Sequence, residues 1–359
     1  MPVKLSSLAP EILHLVGPGK LKVEGGRLQW VPFEGNSQKI APTTLQLLLC
    51  YGRITVTDRA TELLLKENVQ IAWLSKDGRR CRGRTVDLNE STTSLRLLQH
   101  AALTGATRME FARQFVVLKI RSQQHALRHY QRHGRVQGNT ASVLKKMLEQ
   151  AQKATELESL RGHEGVAARA WFQALRHLIR PPFQLAERNR RPPRDPVNAL
   201  LSLGYTLLHT RITAQLQARG FETQLGSLHS YRPGRASLTC DVCEPFRVPA
   251  VDRWVVRLLS SGRLKMEDFV FENVAAAADL QRADDDADST GVRLRPDRFQ
   301  SVLADWEESW QDHLQALHKI LADLEREIRQ QGALLLRDEF LEQCSGVIDG
   351  DETESRHLT

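Results

Sequence analysis

The sequence predicts an α+β chain, with a small β-rich domain at the N-terminus and a larger all-α domain after it. Three observations carry that prediction. Short apolar runs punctuated by glycine and proline fill the first 89 residues, the apolar spacing beyond Asn89 becomes helical and stays so, and 359 residues are enough for two cores. The boundaries follow as 1–89 for the β-rich domain, 90–345 for the helical domain, and 346–359 for an acidic, polar tail expected to be disordered.

In chain order, strands are expected at Glu11–Val16, Lys20–Val23 and Arg27–Val31, separated by Gly17-Pro18-Gly19 and Gly25-Gly26. Gly52 precedes a further strand, Arg53–Val56. Thr57-Asp58 then caps a helix over Arg59–Glu67 that turns Leu63, Leu64 and Leu65 toward a core. Val69–Leu74 reads as a buried strand, and Asp77-Gly78 as a hairpin turn into Arg79–Val86. That arm carries Arg79, Arg80, Arg82 and Arg84, either to touch DNA or to keep an edge strand from aggregating. Long helices are expected over Thr92–Leu103, Arg108–Gln131 and Thr140–Leu160. Asp195 followed by Pro196 caps and opens another, which Gly220 closes. A last helix runs through Phe299, Leu303, Trp306, Trp310, Leu314, Leu317, Leu321, Leu324 and Ile328, its stripe read as packing, not as a base-stacking platform. Asp284–Gly291 reads as a polar loop.

Composition narrows the function classes. Hydrophobic residues make up 41% and charged residues 26%, the balance of a soluble globular chain. No run of 18 apolar residues exists to cross a membrane, and the N-terminus lacks the pattern of a signal peptide. Five cysteines at irregular spacing argue against a disulfide scaffold, so the expected location is the cytoplasm. The net charge of +7 matters less than its distribution. Between Arg113 and Lys146 there are eight Lys/Arg and no acid, where the overall composition would place about four. Arg176–Arg194 holds six arginines against Glu187 alone. Such clusters form an electrostatic footprint for a polyanion.

Three places put ionisable groups where packing alone would not. Glu164 opens the apolar helix face of Ala167, Trp171 and Leu178; a first-turn acid suits the helix dipole, but a buried carboxylate wants a cation. His229 sits in a loop, Gly226-Ser227-Leu228-His229. Asp241 and Glu244 are three apart, with Arg247 one turn further. Carboxylates with an imidazole make a mixed ligand set for Mg²⁺ or Mn²⁺, an ion able to polarise a phosphoryl oxygen.

The strings Arg161-Gly162-His163-Glu164-Gly165-Val166-Ala167-Ala168-Arg169, Asn189 to Tyr205, Gly226 to His229, Ser237 to Arg247 and Val251-Asp252-Arg253 resemble, in order and spacing, the integrase/endonuclease of CRISPR adaptation, the Cas-one family. Lys265-Met266-Glu267-Asp268-Phe269 extends the match, which covers roughly residues 10–275. The resemblance implies a metal held by Glu164, His229 and Glu244, with Asp241 as a second acid beside it and Arg247 as the basic residue one turn on. It implies a metal-dependent DNA endonuclease and integrase that joins 3′-OH ends of a short duplex to the repeat of a CRISPR array. It further implies an N-terminal β-sandwich that mediates a homodimer, a helical catalytic domain, and a small companion adaptation protein.

Within that frame, Arg188, Arg190, Arg191 and Arg194 lie in a proline-punctuated loop suited to gripping phosphates of double-stranded DNA. Asn198 and Tyr205 are candidates for positioning the DNA end, with helix packing as the plain alternative for Tyr205. Arg113, Lys119 and Arg121 are expected along the same channel. The chain departs from the family at Cys240 and Cys243, which with His229 could make three zinc ligands. It departs again in the Ala/Asp-rich Ala275–Asp288 and in a long C-terminal helix. The nucleotide-deaminase signature fails twice, because Thr239 precedes Cys240 and Tyr231 stands two after His229, where that chemistry needs Pro and Glu; a zinc hydrolase or deaminase stays as a third class, marked by stoichiometric zinc. The contrasting reading is a non-catalytic nucleic-acid-binding module whose acids only balance arginines.

Overall fold

The computed structural model describes residues 11–76, 78, 81–85, 93–135, 138–189, 192–273 and 290–330. Residues 11–85 build two four-stranded sheets. One runs in the order β1 (Glu11–Val16), β5 (Leu45–Tyr51), β7 (Gln70–Leu74), β8 (Cys81–Arg84), parallel except for the last pair. The other runs β4 (Gln38–Ile40), β3 (Arg27–Pro32), β2 (Gly19–Glu24), β6 (Ile54–Val56). Helix α1 (Asp58–Lys66) is capped as its sequence predicts: the Thr57 hydroxyl accepts from the Ala60 amide at 3.4 Å.

The unbroken apolar run Leu-Leu-Leu-Cys-Tyr of β5 has a structural cause, because this sheet is covered on both faces. Leu48 and Cys50 join Leu13, Leu15, Leu21, Leu28 and Trp30 in a cluster between the sheets, while Leu47, Leu49, Tyr51 and Leu74 belong to the helical core. A second link between the halves is polar. His14 on β1 lies 2.9 Å from the Tyr51 hydroxyl and donates from Nε2 to Glu307 at 3.0 Å, and Glu307 also pairs with Arg211, all four buried.

The helical half comprises α2 (Thr93–Thr104), α3 (Arg108–Arg132), α4 (Thr140–Lys153), α5 (Leu157–Leu178), α6 (Pro196–Ala218), α7 (Ser237–Cys243) and α8 (Arg253–Ser260). Two helices follow, α9 (Pro296–Gln311) and α10 (Leu314–Gln330). Helix α6 is buried along most of its surface, and its Gly204 allows close packing: a Cβ there would stand 2.7 Å from Val251 Cγ1.

Three expectations are corrected. The helical half is not all-α, since β9 (Phe269–Asn273) and β10 (Thr290–Leu294) pair antiparallel, and Val292 donates to the Pro193 carbonyl at 2.8 Å, tying this hairpin to the arginine loop. The expected helix over Thr140–Leu160 breaks at Ala154–Glu156, where Ala154 and Glu156 are extended and α5 folds back on α4. The expected single C-terminal helix breaks at Asp312–His313, after Trp310 has seated against Phe246. Asp77, Arg79 and Arg80, the segment Ala275–Asp288 and the tail 346–359 lie outside the described residues. Among the described residues, no helix is long and apolar enough to cross a membrane.

Candidate active site

Four stretches meet behind α6. Helix α3 brings Lys119, α5 brings Glu164, the loop after α6 brings His229, and the turn that follows α7 brings Glu244 and Arg247. That turn is irregular: 3₁₀ over Glu244–Phe246, then π-helical over Arg247–Asp252, a widening often found at functional sites. Lys119 is buried and stands between two acids, paired with Glu164 Oε1 and 2.5 Å from Glu244 Oε2. Arg247 Nε lies 3.0 Å from the other oxygen, Glu244 Oε1.

Burial alone would raise the Glu244 carboxyl, but Arg247 and Lys119 outweigh it and hold it down to about 2. Burial would likewise lower the Lys119 ammonium, and Glu244 and Glu164 reverse this so that it is raised. The site therefore holds Glu244 ionised between two cations, Lys119 and Arg247. Glu244 Oε2 is buried and satisfied by the Lys119 ammonium. Two carboxylates brought from separate segments onto one cation fit the donor chemistry of a divalent ion.

His229 is set by Asp241, which is fully buried. The amides of Ser227 and Leu228 donate to Oδ2 at 2.7 and 3.0 Å, and the His229 amide to Oδ1 at 2.9 Å. His229 Nδ1 lies 2.7 Å from the same Oδ1, a partner that accepts from an Nδ1 proton and directs Nε2 away from Asp241. Gly226 makes this approach possible, because a Cβ there would stand 2.8 Å from Asp241 Oδ2. Asp241 thus packs against the imidazole and holds the backbone of the His229 loop. Among the described residues, no three His, Cys, Asp or Glu side chains converge as a ready metal cage: Glu164 and Glu244 meet at Lys119, and His229 is turned to Asp241. Cys240 is half-buried and Cys243 buried, and burial pushes both thiols up, away from the thiolate form a zinc ligand needs.

The expected DNA contacts divide. The Tyr205 ring has Arg247 at 5.0 Å and Arg188 at 5.5 Å, and its hydroxyl donates to Asp252. Asp252 also accepts from Trp171 Nε1 at 2.7 Å, and burial still pushes its carboxyl up to about 6. Arg188 donates to Asn198 Oδ1 at 2.8 Å and to the Ser202 hydroxyl at 3.2 Å. Asn198 is fully buried and donates in turn to the Glu187 carbonyl, so it scaffolds the arginine loop and cannot touch a DNA end. Arg194 is exposed at the rim of that loop. Arg190 and Arg191 lie outside the described residues.

Two expectations change. Lys119 is inside the acid cluster and not on a phosphate-facing surface, because two carboxylates compensate its burial. Arg113 donates to the Ala154 carbonyl at 3.1 Å and so caps the end of α4, away from the site. Sequence reading missed three arginines that hold the His229 loop. Arg108 donates to the Ser227 carbonyl at 2.9 Å and to the Ser230 hydroxyl at 3.0 Å; Arg161 reaches the Leu228 carbonyl at 3.1 Å and the same hydroxyl at 2.8 Å; Arg235 reaches the Ser230 carbonyl. The signal for Arg161 was its place in the string with Glu164. His209, one turn beyond Tyr205, was also missed, and burial with Arg84 and Arg247 holds its imidazole down to about 4, hence neutral.

Comparison with known proteins agrees with this arrangement. The family model for CRISPR associated protein Cas1 matches residues 13–308. A CRISPR-associated endonuclease Cas1 of Thermus thermophilus is 32% identical over 298 residues, 82% of this chain and 83% of that protein. The CRISPR-associated endonuclease Cas1 of Methanopyrus kandleri is 34% identical over 239 residues, 66% of this chain and 71% of its own. The solved structure of a Cas1 protein from Thermotoga maritima superposes with a TM-score of 0.75 at 20% identity, covering 91% of this chain and 100% of that one. A casposase bound to integration product superposes with a TM-score of 0.75 at 20% identity over 89% of this chain and 91% of its own. With the site strings and the irregular turn after α7 all inside the matched span, the chain belongs to the CRISPR-associated protein Cas1 family.

Proposed function

We propose that this chain is a metal-dependent DNA endonuclease and integrase of CRISPR spacer acquisition. The observation that carries the reading is the convergence of Glu164 and Glu244, from separate helices, on one buried cation beside His229. Glu164, Glu244 and His229 Nε2 would hold Mg²⁺ or Mn²⁺, with the Lys119 ammonium withdrawing as the ion enters. Bound there, the ion would polarise a non-bridging phosphoryl oxygen and favour the ionised attacking hydroxyl.

The chain's own residues do the rest. Arg247, fixed by Glu244 and the Tyr205 ring, presents positive charge to the phosphoryl group as negative charge grows on it. Asp241 keeps the His229 tautomer, and Arg188 and Arg194 take phosphates of double-stranded DNA. The 3′-hydroxyl of the incoming strand bonds to phosphorus while the bond to a 3′-oxygen of the repeat breaks, and the proton passes from one hydroxyl to the other through solvent. One phosphodiester forms as one is lost.

The relatives bearing the name endonuclease support hydrolysis, and the casposase fold, which holds an integration product in that protein, supports strand transfer. A Cas6-RT-Cas1–Cas2 complex, matched with a TM-score of 0.76 at 24% identity over 94% of this chain and 37% of that one, favours a small companion adaptation protein. The two N-terminal sheets would serve as a β-sandwich that pairs two copies, working in the cytoplasm beside the array.

The test joins a short duplex with free 3′-OH ends to a supercoiled plasmid carrying leader and repeat, in Mn²⁺, with and without the companion. Joined product is expected from the wild type and none from Glu244→Ala. Intact DNA binding with neither joining nor nicking in any combination would leave the non-catalytic module standing instead.

A further inference from the structure

Helix α3 is buried along most of its circumference and shows solvent a single face. Gln114, Val117, Arg121, Gln124, Arg128 and Arg132 recur along it at steps of three and four, each half-buried or exposed, while Phe115, Leu118, Lys119, Ala126 and Tyr130 face inward. Lys119, the residue at the acid cluster, therefore points away from this face. Arg128 and Arg132 are exposed and stand one turn apart, a like-charged pair that costs a helix stability where an acid would add to it. No Asp or Glu occurs between Glu110 and Glu149 to offset them. Arg135, just past the helix end, extends the face; it is held by Ser260 at 3.2 Å and lies over Tyr130 at 5.8 Å. Lys145 and Lys146 lie on α4, the helix packed against α3, with Lys146 exposed there as well.

A face that merely needs solvation would mix its charges. This one keeps arginine against the preference of its own helix, and arginine is the side chain that fits phosphate. From Arg121 to Arg132 the helix rises about 16 Å, the length of about five base-pair steps of a duplex. We propose that this outer face of α3 is a second contact for double-stranded DNA, gripping backbone phosphates on the side of the helix opposite the catalytic turn. The inference rests on the integrase reading and adds to it: the protein holds a stretch of duplex away from the reacting end, through charge and without base selection.

The test measures affinity for a random duplex of about 30 bp in EDTA, as salt is raised, for the full chain and for Arg128→Gln/Arg132→Gln; each phosphate that a guanidinium no longer neutralises should lower the salt slope by about 0.9. A slope reduced by about two, with affinity weaker by about tenfold near 0.1 M salt and joining unchanged at saturating DNA, is the expected result. Lys20→Gln/Lys39→Gln, which removes two exposed charges from the N-terminal sheet, is the control and should leave the slope near that of the wild type. A wild type that binds and joins DNA while the arginine variant keeps its slope overturns this inference alone, as does an equal loss in the control. A wild type that binds no duplex removes the integrase reading together with this one.

Discussion

Lys119 Nζ lies 2.5 Å from Glu244 Oε2 and pairs with Glu164 as well. Its ammonium neutralises two carboxylates that their mutual repulsion would otherwise drive apart. Lys119→Met should remove that neutralisation and destabilise the metal-free protein by about 3 kcal/mol, the cost of leaving buried charge unpaired. Mn²⁺ should then raise the melting temperature of Lys119→Met by more than that of the wild type, by mass action on the vacated carboxylates. Equal shifts in the two proteins would mean that lysine and ion do not share a place.

Asp241→Asn should disable the site from behind. Its carboxylate takes three backbone amides and the His229 ring, and an amide side chain would turn an NH₂ group onto some of those donors. The expected cost is about 2–4 kcal/mol in stability, with joining lost while far-UV circular dichroism is kept. Wild-type joining by Asp241→Asn would show that the histidine needs no such partner.

The acid limb of stability should trace to Glu307. Burial would raise its carboxyl, but Arg211 and His14 outweigh this and hold it down to about 2. A folded value below the ordinary carboxylate one gives stability that is full above about pH 4.5 and is lost as pH falls from there toward 2, worth at most about 3 kcal/mol. Glu307→Gln leaves Arg211 buried without its counter-charge, so the variant should be the weaker protein at pH 7. The gap in urea midpoint should close as pH drops below 4.5. A gap independent of pH would assign the loss to packing.

Tyr205 separates ring from hydroxyl. Its ring lies within reach of two guanidinium groups, while its hydroxyl serves Asp252. Tyr205→Phe keeps the ring and should retain joining within about tenfold, whereas Tyr205→Ala frees Arg188 and Arg247 and should lose about 10- to 100-fold. The hydroxyl matters to pH instead. Asp252 is raised by burial to about 6 and Tyr205 opposes the rise, so Tyr205→Phe lifts it further. For a carboxyl raised in the fold, stability falls as pH climbs through the interval above its ordinary value, and the variant should fall more steeply between pH 4 and 7 than the wild type. Parallel profiles would put the proton elsewhere.

Local chemistry made part of this legible in the chain. Thr57 and the Asp195-Pro196 pair announce helix starts because caps act over a few residues, and β5 shows its double burial in an uninterrupted apolar run. The strings around Glu164 and Glu244 carry the resemblance, and the fold brings these two carboxylates together at Lys119. What failed was long-range or silent. The break at Ala154–Glu156 carries no glycine or proline, so the periodicity runs through it. Lys119 looks like any phosphate-seeking lysine until two acids from elsewhere in the chain close on it. The link from His14 to Glu307 joins the two ends of the fold and leaves no trace in either neighbourhood.

The sheet β1-β5-β7-β8 is a party wall, with Leu48 and Cys50 lodged in one room and Leu47, Leu49 and Tyr51 in the other. Severing the chain between β8 and α2 would give two fragments that each carry a raw greasy side, insoluble apart and adhesive together. Such a strand half cannot be traded between proteins as a cassette or hinged freely against its neighbour. The strand half and the helices are thus joined through one shared wall of side chains.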